Sequence, residues 1–298
     1  MPALILKNIL KIITTLLIVS LLVFLLLDLS GADVAVYISG DRIATGEEAV
    51  RENLLLERNI FYRYFFFLLN FLTFSWGESI YSEDIARLVS SRLPFTLLLS
   101  LSSLFVSLVI SILLTLFLAR SRASRVLDAY SLIIFSLPSM VLALFLTLLF
   151  SVRFPLLPVS GNIAIPVAVL SLMHSALFMR IFKKEVLSEL DKDYVRTALS
   201  YGKSWKKIMR TDVFKNASRT LFPLSFSSFS SMLLGSAVLE TMFSLPGFGS
   251  LIVSSAMARD VNLIATAVML ISLLVSILSL LSDICLYFLD PQSRRNNE

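Results

Sequence analysis

Residues 190–219 read LDKDYVRTALSYGKSWKKIMRTDVFKNASR and form the longest polar, basic interruption in an otherwise apolar chain. Apolar side chains recur within this stretch at spacings of four, three, four and three. These are Tyr194, Ala198, Tyr201, Trp205 and Ile208. The spacing predicts that they share one helical face, with the basic side chains largely elsewhere. Gly202 stands in the middle, where it can divide the run into two short helices and let another surface come close. The stretch is therefore predicted to be a docking element between two membrane spans.

Composition places the chain in a membrane. Of its 298 residues, 57% are hydrophobic and 16% are charged, whereas a soluble domain averages about 25% charged residues. Several apolar runs exceed the roughly 18 residues that mark a transmembrane helix. The single cysteine, Cys285, lies in one of these runs and is interpreted as a small buried hydrophobe, because it has no second cysteine for an internal disulfide.

Six apolar runs predict an all-α polytopic membrane protein with six transmembrane helices. They cover residues 9–27, 93–119, 128–152, 163–182, 220–239 and 261–289. Pro94 is expected in the first turn of the second run, where its missing N–H costs nothing. Pro138 is expected to kink or unwind the third run. Hydroxyl side chains recur every three or four residues between Thr96 and Thr115, which favours close helix packing over the alternative of a polar pathway.

The runs divide the chain into four parts. Residues 1–28 are interpreted as a retained first span, and a cleaved signal peptide is the alternative. Residues 29–92 form a long hydrophilic segment in which the aromatic stretch 60–74 predicts an interfacial helix. Residues 93–289 contain the other five spans and the loop 183–219. Residues 290–298 form a basic tail.

The distribution of charge predicts the orientation. Eighteen of the 26 Lys and Arg residues, including every lysine, lie in the segments that six spans place on the side of the two termini. The positive-inside rule then puts both termini and the loop 183–219 in the cytoplasm, and residues 29–92 outside. The net charge of +5 is explained by these loops, so we expect no nucleic-acid partner.

We find no complete catalytic motif in the sequence. The sequence Gly202-Lys203-Ser204 is the end of a P-loop, but Thr197 stands where a Walker motif needs its first glycine, and the segment reads as helix rather than strand followed by loop. His174 lies alone within the fourth span, so a metal or proton-relay role is disfavoured. We expect no catalytic residue, no metal and no cofactor. The spans also lack central charges, so a transport role requires an external motor.

Several motifs in order resemble one family. The stretch DYVRTALSYG at 193–202 and the basic run after it are similar to the EAA loop of ABC-importer permeases. ETMFSLPGFG at 240–249 resembles that family's ETIFSWPGLG, and LDPQSR at 289–294 resembles its terminal LDPR-R. FSWGESI at 74–80 and RLPFT at 92–96 are similar to its GDLGTSI and RLPxT segments. The resemblance covers about residues 60–298 and is closest to the first of the two permeases in dipeptide, oligopeptide and nickel importers.

Three features depart from the family pattern. Arg196-Thr197 replaces the usual glutamate–alanine pair, Asp212 stands where a histidine is usual, and the fifth span is richer in serine than in glycine. These departures leave the family assignment unchanged and bear on which substrate is transported. The resemblance implies a type I ABC-importer permease fold in the inner membrane and an ATP-driven import of di- or oligopeptides. Nickel and oligosaccharide import are the alternatives.

The resemblance also implies partners and sites. The partners are a second permease, two ATP-binding subunits, an extracytoplasmic solute-binding protein and the lipid bilayer. Docking to the ATPase is expected at Tyr194, Ala198, Leu199, Tyr201, Gly202 and Trp205. The pathway is expected to be lined by Ser225, Ser228, Ser231, Gly235 and Glu240. The binding protein is expected to meet Trp76, Gly77, Pro246, Gly247 and Gly249.

Two functions of other classes compete with this interpretation. A stand-alone channel or facilitator, or a membrane scaffold, needs no motor. In either, the basic stretch is only an anchor for anionic lipids. The apolar spacing with its central glycine favours docking, because a lipid anchor needs no glycine at that place.

Overall fold

The computed structural model describes residues 8–25, 60–81, 83–119 and 124–289. Within these ranges the chain is almost entirely helical, and the only β pairing is an isolated bridge between Glu78 and Asp84. The helices, in chain order, are α1 (Asn8–Leu25), α2 (Ile60–Leu72), α3 (Ile85–Leu118), α4 (Ser124–Ser136), α5 (Ser139–Arg153), α6 (Ala164–Leu190), α7 (Asp193–Ser200), α8 (Trp205–Met242), α9 (Phe248–Met257) and α10 (Val261–Leu289).

The membrane-crossing helices agree with the predicted number. Five of the described helices are long and apolar enough to cross a bilayer, namely α1, α3, α6, α8 and α10. The pair α4 and α5 makes a sixth span if it is counted as one bent helix. The prediction of an all-α polytopic membrane protein is therefore confirmed, and the last span has the bounds that were predicted for it.

The second predicted span begins earlier than expected. α3 starts at Ile85 because Asp84 caps it, with its Oδ1 accepting the N–H of Ala86 at 2.9 Å. Pro94 consequently lies inside the helix, so its expected position in the first turn is wrong. Its ring is exposed, and the helix continues past it, as membrane helices often do at proline.

The third predicted span is two helices. α4 ends at Ser136, Pro138 precedes the first residue of α5, and the two helix axes differ by 102°. Proline lacks the N–H that would continue the hydrogen-bond ladder, and its ring restricts the residue before it, here Leu137. The effect expected from Pro138 is confirmed, but it is a complete break rather than a kink. The end of α5, Leu148–Arg153, has π-helical hydrogen bonding.

Contacts divide the described chain into two compact units. One contains the described residues up to Phe95 together with Pro246–Ile277. Its core is a cluster of buried side chains from α3, α9 and α10: Ile85, Val89, Phe248, Leu263 and Ala267. In the same unit, the Ser20 hydroxyl lies 2.8 Å from the Tyr64 hydroxyl, which joins α1 to α2.

The second unit contains Thr96–Leu245 and the described residues from Leu278 onward. Its core surrounds the ends of α6 and α8 that flank the short helix α7. The buried members are Ala119, Phe178, Phe182, Val186, Val195, Ile208, Met209, Val213, Ala217 and Leu221. This cluster fixes the base of the basic stretch 190–219.

The hydroxyl side chains of α3 are packing residues. Thr96, Ser100, Ser103, Ser107, Ser111 and Thr115 are all fully buried within the second unit. The Ser171 hydroxyl of α6 donates to the carbonyl of Ser103 at 3.2 Å. Such a contact requires small side chains where the two helices meet. Of the two interpretations of this stripe, close packing is the one that the burial supports.

We predict that Ser107→Leu destabilises the protein by about 1–3 kcal/mol, because a larger side chain in a filled space forces its neighbours to move. The measurement is reversible unfolding in mixed detergent micelles. Ser102→Leu is the matched control, since Ser102 lies on the same helix and is only half-buried. Equal losses in the two variants would contradict the packing role of the stripe.

Candidate functional site

The centre of the basic stretch is a tight turn between α7 and α8. Gly202 has a φ of +76°, which L-residues with side chains rarely adopt. The Gly202 N–H donates to the Leu199 carbonyl at 2.9 Å, and the Lys203 N–H donates to the Ala198 carbonyl at 3.1 Å. These two bonds form a Schellman motif, which ends α7 after Ser200. A side chain added at Gly202 would enter open space, so within this chain only the backbone conformation requires a glycine here.

The turn changes which side chains face outward. Val195 is buried, and Tyr194, Ala198 and Trp205 pack against the core of the second unit. Tyr201, in contrast, is 87% exposed at the turn, and Leu199 is 43% exposed. The prediction that Tyr194, Ala198, Tyr201, Trp205 and Ile208 share one face is therefore wrong. The helix ends before Tyr201, so this side chain lies at the turn, beyond the core cluster that Tyr194, Ala198 and Trp205 contact.

Tyr194 is hydrogen-bonded to two other helices. Its hydroxyl donates to Glu189 Oε2, in the last turn of α6, at 2.9 Å. Asn216 Nδ2 of α8 donates to the same hydroxyl at 3.5 Å, and the Lys192 ammonium pairs with the other oxygen of Glu189. Burial raises the pKa of the Tyr194 hydroxyl above its usual value. The group therefore stays protonated near neutral pH and can act as the donor.

A second connection spans the turn itself. The Lys203 ammonium pairs with the Asp212 carboxylate, and both side chains are 30% exposed. A partly exposed pair of this kind stabilises by about 1 kcal/mol or less. Asp212 is one of the positions at which the sequence departs from the pattern that it resembles, and in this chain the residue there forms an ion pair.

The five predicted pathway residues occupy two sides of α8. Ser231 and Gly235 are exposed and lie one turn apart, whereas Ser228 is buried and Ser225 is half-buried. The Ser225 and Ser231 hydroxyls each donate to the carbonyl four residues earlier. Glu240 is fully buried. The structure thus brings Ser231 and Gly235 together on one surface and excludes Ser228 and Glu240 from it.

Glu240 connects two of the sequence motifs. Its Oε1 accepts the Thr96 hydroxyl of α3 at 2.7 Å and the Ser236 hydroxyl of α8 at 2.9 Å. Both donors are fully buried. A buried carboxylate requires such hydrogen bonds, since desolvation is otherwise costly. The threonine of RLPFT and the glutamate that opens ETMFSLPGFG are therefore partners. Sequence reasoning missed this pair because the two residues lie 144 positions apart.

The predicted binding-protein residues all belong to the first unit. Trp76 is half-buried, and its indole N–H donates to the Phe71 carbonyl at 3.1 Å. Pro246 and Gly77 are exposed, whereas Gly247 and Gly249 are buried. Of this predicted set, Pro246 and Gly77 are thus the members available at a surface.

Asp260 and Asn262 hold the segment that contains Gly77. Asp260 is buried, and its two oxygens accept the N–H groups of Ile80 at 3.1 Å and Leu263 at 3.0 Å. Asn262 Nδ2 donates to the carbonyls of Trp76 and Glu78 at 3.2 and 3.1 Å. Gly77 has a φ of +75°, and an added Cβ would lie 3.2 Å from Asn262 Nδ2. The sequence carried one signal for this site, namely an aspartate just before an apolar run, which is typical of a helix N-cap.

These features define a multi-pass helical membrane protein in which the spans α6 and α8 are joined by the short helix α7 and an exposed basic turn. Its sequence assigns it further. The chain belongs to the family of binding-protein-dependent transport system inner membrane components, whose model matches residues 107–295.

Curated relatives match nearly the whole chain. A putative peptide transport system permease protein of Brucella abortus is 30% identical, over 99% of both chains. A probable peptide ABC transporter permease protein of Sinorhizobium fredii is 28% identical, over 97% of this chain and 98% of that protein. The nickel import system permease protein of Staphylococcus aureus is also 28% identical, over 97% of this chain and 91% of that protein.

The protein is thus a permease subunit of an ABC importer, and permeases of this family work with an ATPase and a binding protein. The family resemblance drawn from the motifs is confirmed. The stand-alone channel and the scaffold are set aside, because the members of this family are components of binding-protein-dependent systems.

We predict that Thr96→Val destabilises the protein by about 1.5–3 kcal/mol, because it removes a hydrogen bond to a buried carboxylate. Thr115→Val is the matched control. It makes the same change on the same helix, and the buried Thr115 hydroxyl has no hydrogen-bond partner in the described residues. The free energy of unfolding in detergent micelles measures both. A loss in Thr115→Val as large as that in Thr96→Val would contradict the role assigned to Glu240.

Proposed function

We propose that this chain forms half of the translocation pathway of an ATP-driven importer for di- or oligopeptides. The observation that carries the proposal is the identity of 28–30% to peptide permeases along nearly the full length. The nickel relative matches almost as well, so nickel import is the second candidate.

The proposed orientation follows from charge. Both termini and the loop 183–219 lie in the cytoplasm, because eighteen of the 26 Lys and Arg residues belong to these segments, to the short loop 120–125 and to the end of the preceding span at Arg180. The turn at Gly202 then faces the compartment that contains ATP. Residues 29–92 and the exposed Pro246 face outward, where they meet the binding protein. The localisation is the cytoplasmic membrane.

The proposed assembly has two permeases and two ATP-binding subunits, with this chain as one member of a permease heterodimer. Hydrolysis takes place on the ATP-binding subunits. The exposed surface of α8 around Ser231 and Gly235 lines the pathway, since small polar side chains leave room for a solute.

The residues predicted for ATPase docking form two groups, one exposed at the turn and one packed against the core. Leu199, Tyr201 and Gly202 make the contact, because Tyr201 is almost fully exposed and Gly202 keeps the approach free of a side chain. Tyr194, Ala198 and Trp205 anchor the turn, because they pack against this chain's own core. ATP binding closes the ATPase dimer, moves the turn and rocks the attached spans between inward and outward access.

The identity of the solute is tested by measuring which candidate solutes bind to the binding protein that associates with the assembled complex. Isothermal titration with a mixture of dipeptides and tripeptides, and separately with nickel chloride, measures the two affinities. We expect peptides to bind and nickel to leave the heat signal unchanged. Nickel binding without peptide binding would replace the first candidate by the second.

We predict that Tyr201→Ala and Gly202→Trp each lower the recovery of ATPase subunits on the purified permease at least about tenfold, equal to ~1.4 kcal/mol of binding free energy. Gly161→Trp is the matched control, because Gly161 also has a positive φ, of +71°, and open space around it. Both tryptophan variants carry a similar backbone strain. Full recovery of ATPase with Gly202→Trp, or an equal loss with Gly161→Trp, would contradict the docking role.

A further inference from the structure

Tyr194 contacts two neighbouring helices through its hydroxyl, and these contacts indicate a structural role for this residue. Its hydroxyl joins three helices, since α7 supplies the tyrosine, α6 supplies Glu189 and α8 supplies Asn216. Glu189 lies in the last turn of α6 and is buried. The bonds therefore join α7 to both of the long helices that flank it.

The apolar contacts beneath α7 cannot fix its position by themselves. Val195 packs into a cluster with Phe182 and Ile208, but hydrophobic contact is non-directional and tolerates sliding. A hydrogen bond weakens steeply when its angle or its length departs from the optimum. The bonds of the Tyr194 hydroxyl, together with the ion pair of Lys192 and Glu189, therefore supply the directional part of the attachment.

The ion pair of Lys203 and Asp212 complements this attachment on the other side of the turn. It ties the residue after Gly202 to α8, while Tyr194 ties α7 to α6 and α8. A push on the exposed Tyr201 would reach the spans only if α7 moves with them as one body.

We propose that Tyr194 is a positioning residue that makes α7 rigid with α6 and α8, so that displacement of the turn is transmitted to the membrane helices without loss. This inference rests on the proposed function, which supplies the ATPase that displaces the turn. In it, Tyr194 acts through Glu189 and Asn216 and does not itself touch the ATPase.

The test measures a distance within the second unit in the assembled complex. Spin labels at Ser200→Cys on α7 and Leu234→Cys on α8, with Cys285→Ala removing the natural thiol, report whether α7 moves relative to the span. With the Tyr194 hydroxyl present, we expect one narrow distance distribution that is the same with and without ATP. In Tyr194→Phe, which keeps the ring and loses the hydroxyl, we expect a broader distribution whose mean shifts when ATP is added.

The matched control is Tyr130→Phe. It also removes a half-buried hydroxyl from the second unit, where Tyr130 bonds to Ser175 and to the carbonyl of Leu172. A general loss of stability would affect both variants, whereas the proposed role predicts an ATP-dependent shift in Tyr194→Phe alone. Glu189→Ala should shift the distance in the same direction, because it removes the acceptor of the Tyr194 hydroxyl together with the Lys192 ion pair.

The amount of ATPase subunits that co-purify with the permease distinguishes the positioning role of Tyr194 from the docking of the ATPase, on which that role rests. We expect Tyr194→Phe to retain them fully, since Leu199 and Tyr201 are unchanged. Distances in Tyr194→Phe that match those of the unsubstituted complex would overturn the role of the hydroxyl while leaving docking intact. Loss of ATPase from Tyr194→Phe would overturn it too, because the residue would then belong to the contact. Failure of the unsubstituted permease to hold ATPase would overturn docking and, with it, this inference.

Discussion

The second unit depends on the close approach of α3 to α6. Lipid tails are as apolar as leucine, so membrane helices gain little from hydrophobic burial against each other and rely on packing and hydrogen bonds. The hydroxyl side chains of α3 allow this approach because they are small, and Ser171 bonds directly to the backbone at Ser103. The same stripe begins with Thr96, which reaches the buried Glu240 of α8. The side chains that form these contacts are buried, so only the other side chains of these helices can face lipid, solute or a partner protein.

The sequence predicted those parts of the fold that depend on local pattern. The last span was predicted with its observed bounds, because a long apolar run needs no tertiary information. Pro138 was predicted to interrupt its helix for a reason that is equally local. Pro94 was misplaced because the helix start is set by the Asp84 cap, ten residues before the proline. A cap in a polar segment gives a weaker signal than the apolar run behind it.

The candidate site was less predictable because its contacts are distant in sequence. Helical spacing alone placed Tyr201 beside Tyr194, whereas the Schellman turn separates an exposed tip from a buried base. Glu240 was interpreted as a pathway residue at the end of a span, yet Thr96 and Ser236 enclose it. Spacing within one helix shows neither where that helix ends nor which other helix covers a side chain. The first point decided the case of Tyr201, and the second decided that of Glu240.

The brevity of α7 has a consequence for molecules meant to imitate it. It has only eight residues, and isolated helices shorter than about 12–15 residues are marginal in water. Its shape is maintained by Val195 in the core and by the bonds of Tyr194, none of which an excised segment retains. A synthetic peptide copied from this region would therefore lose the conformation that presents Tyr201. Any mimic needs a covalent constraint that replaces α6 and α8 as the scaffold of the turn.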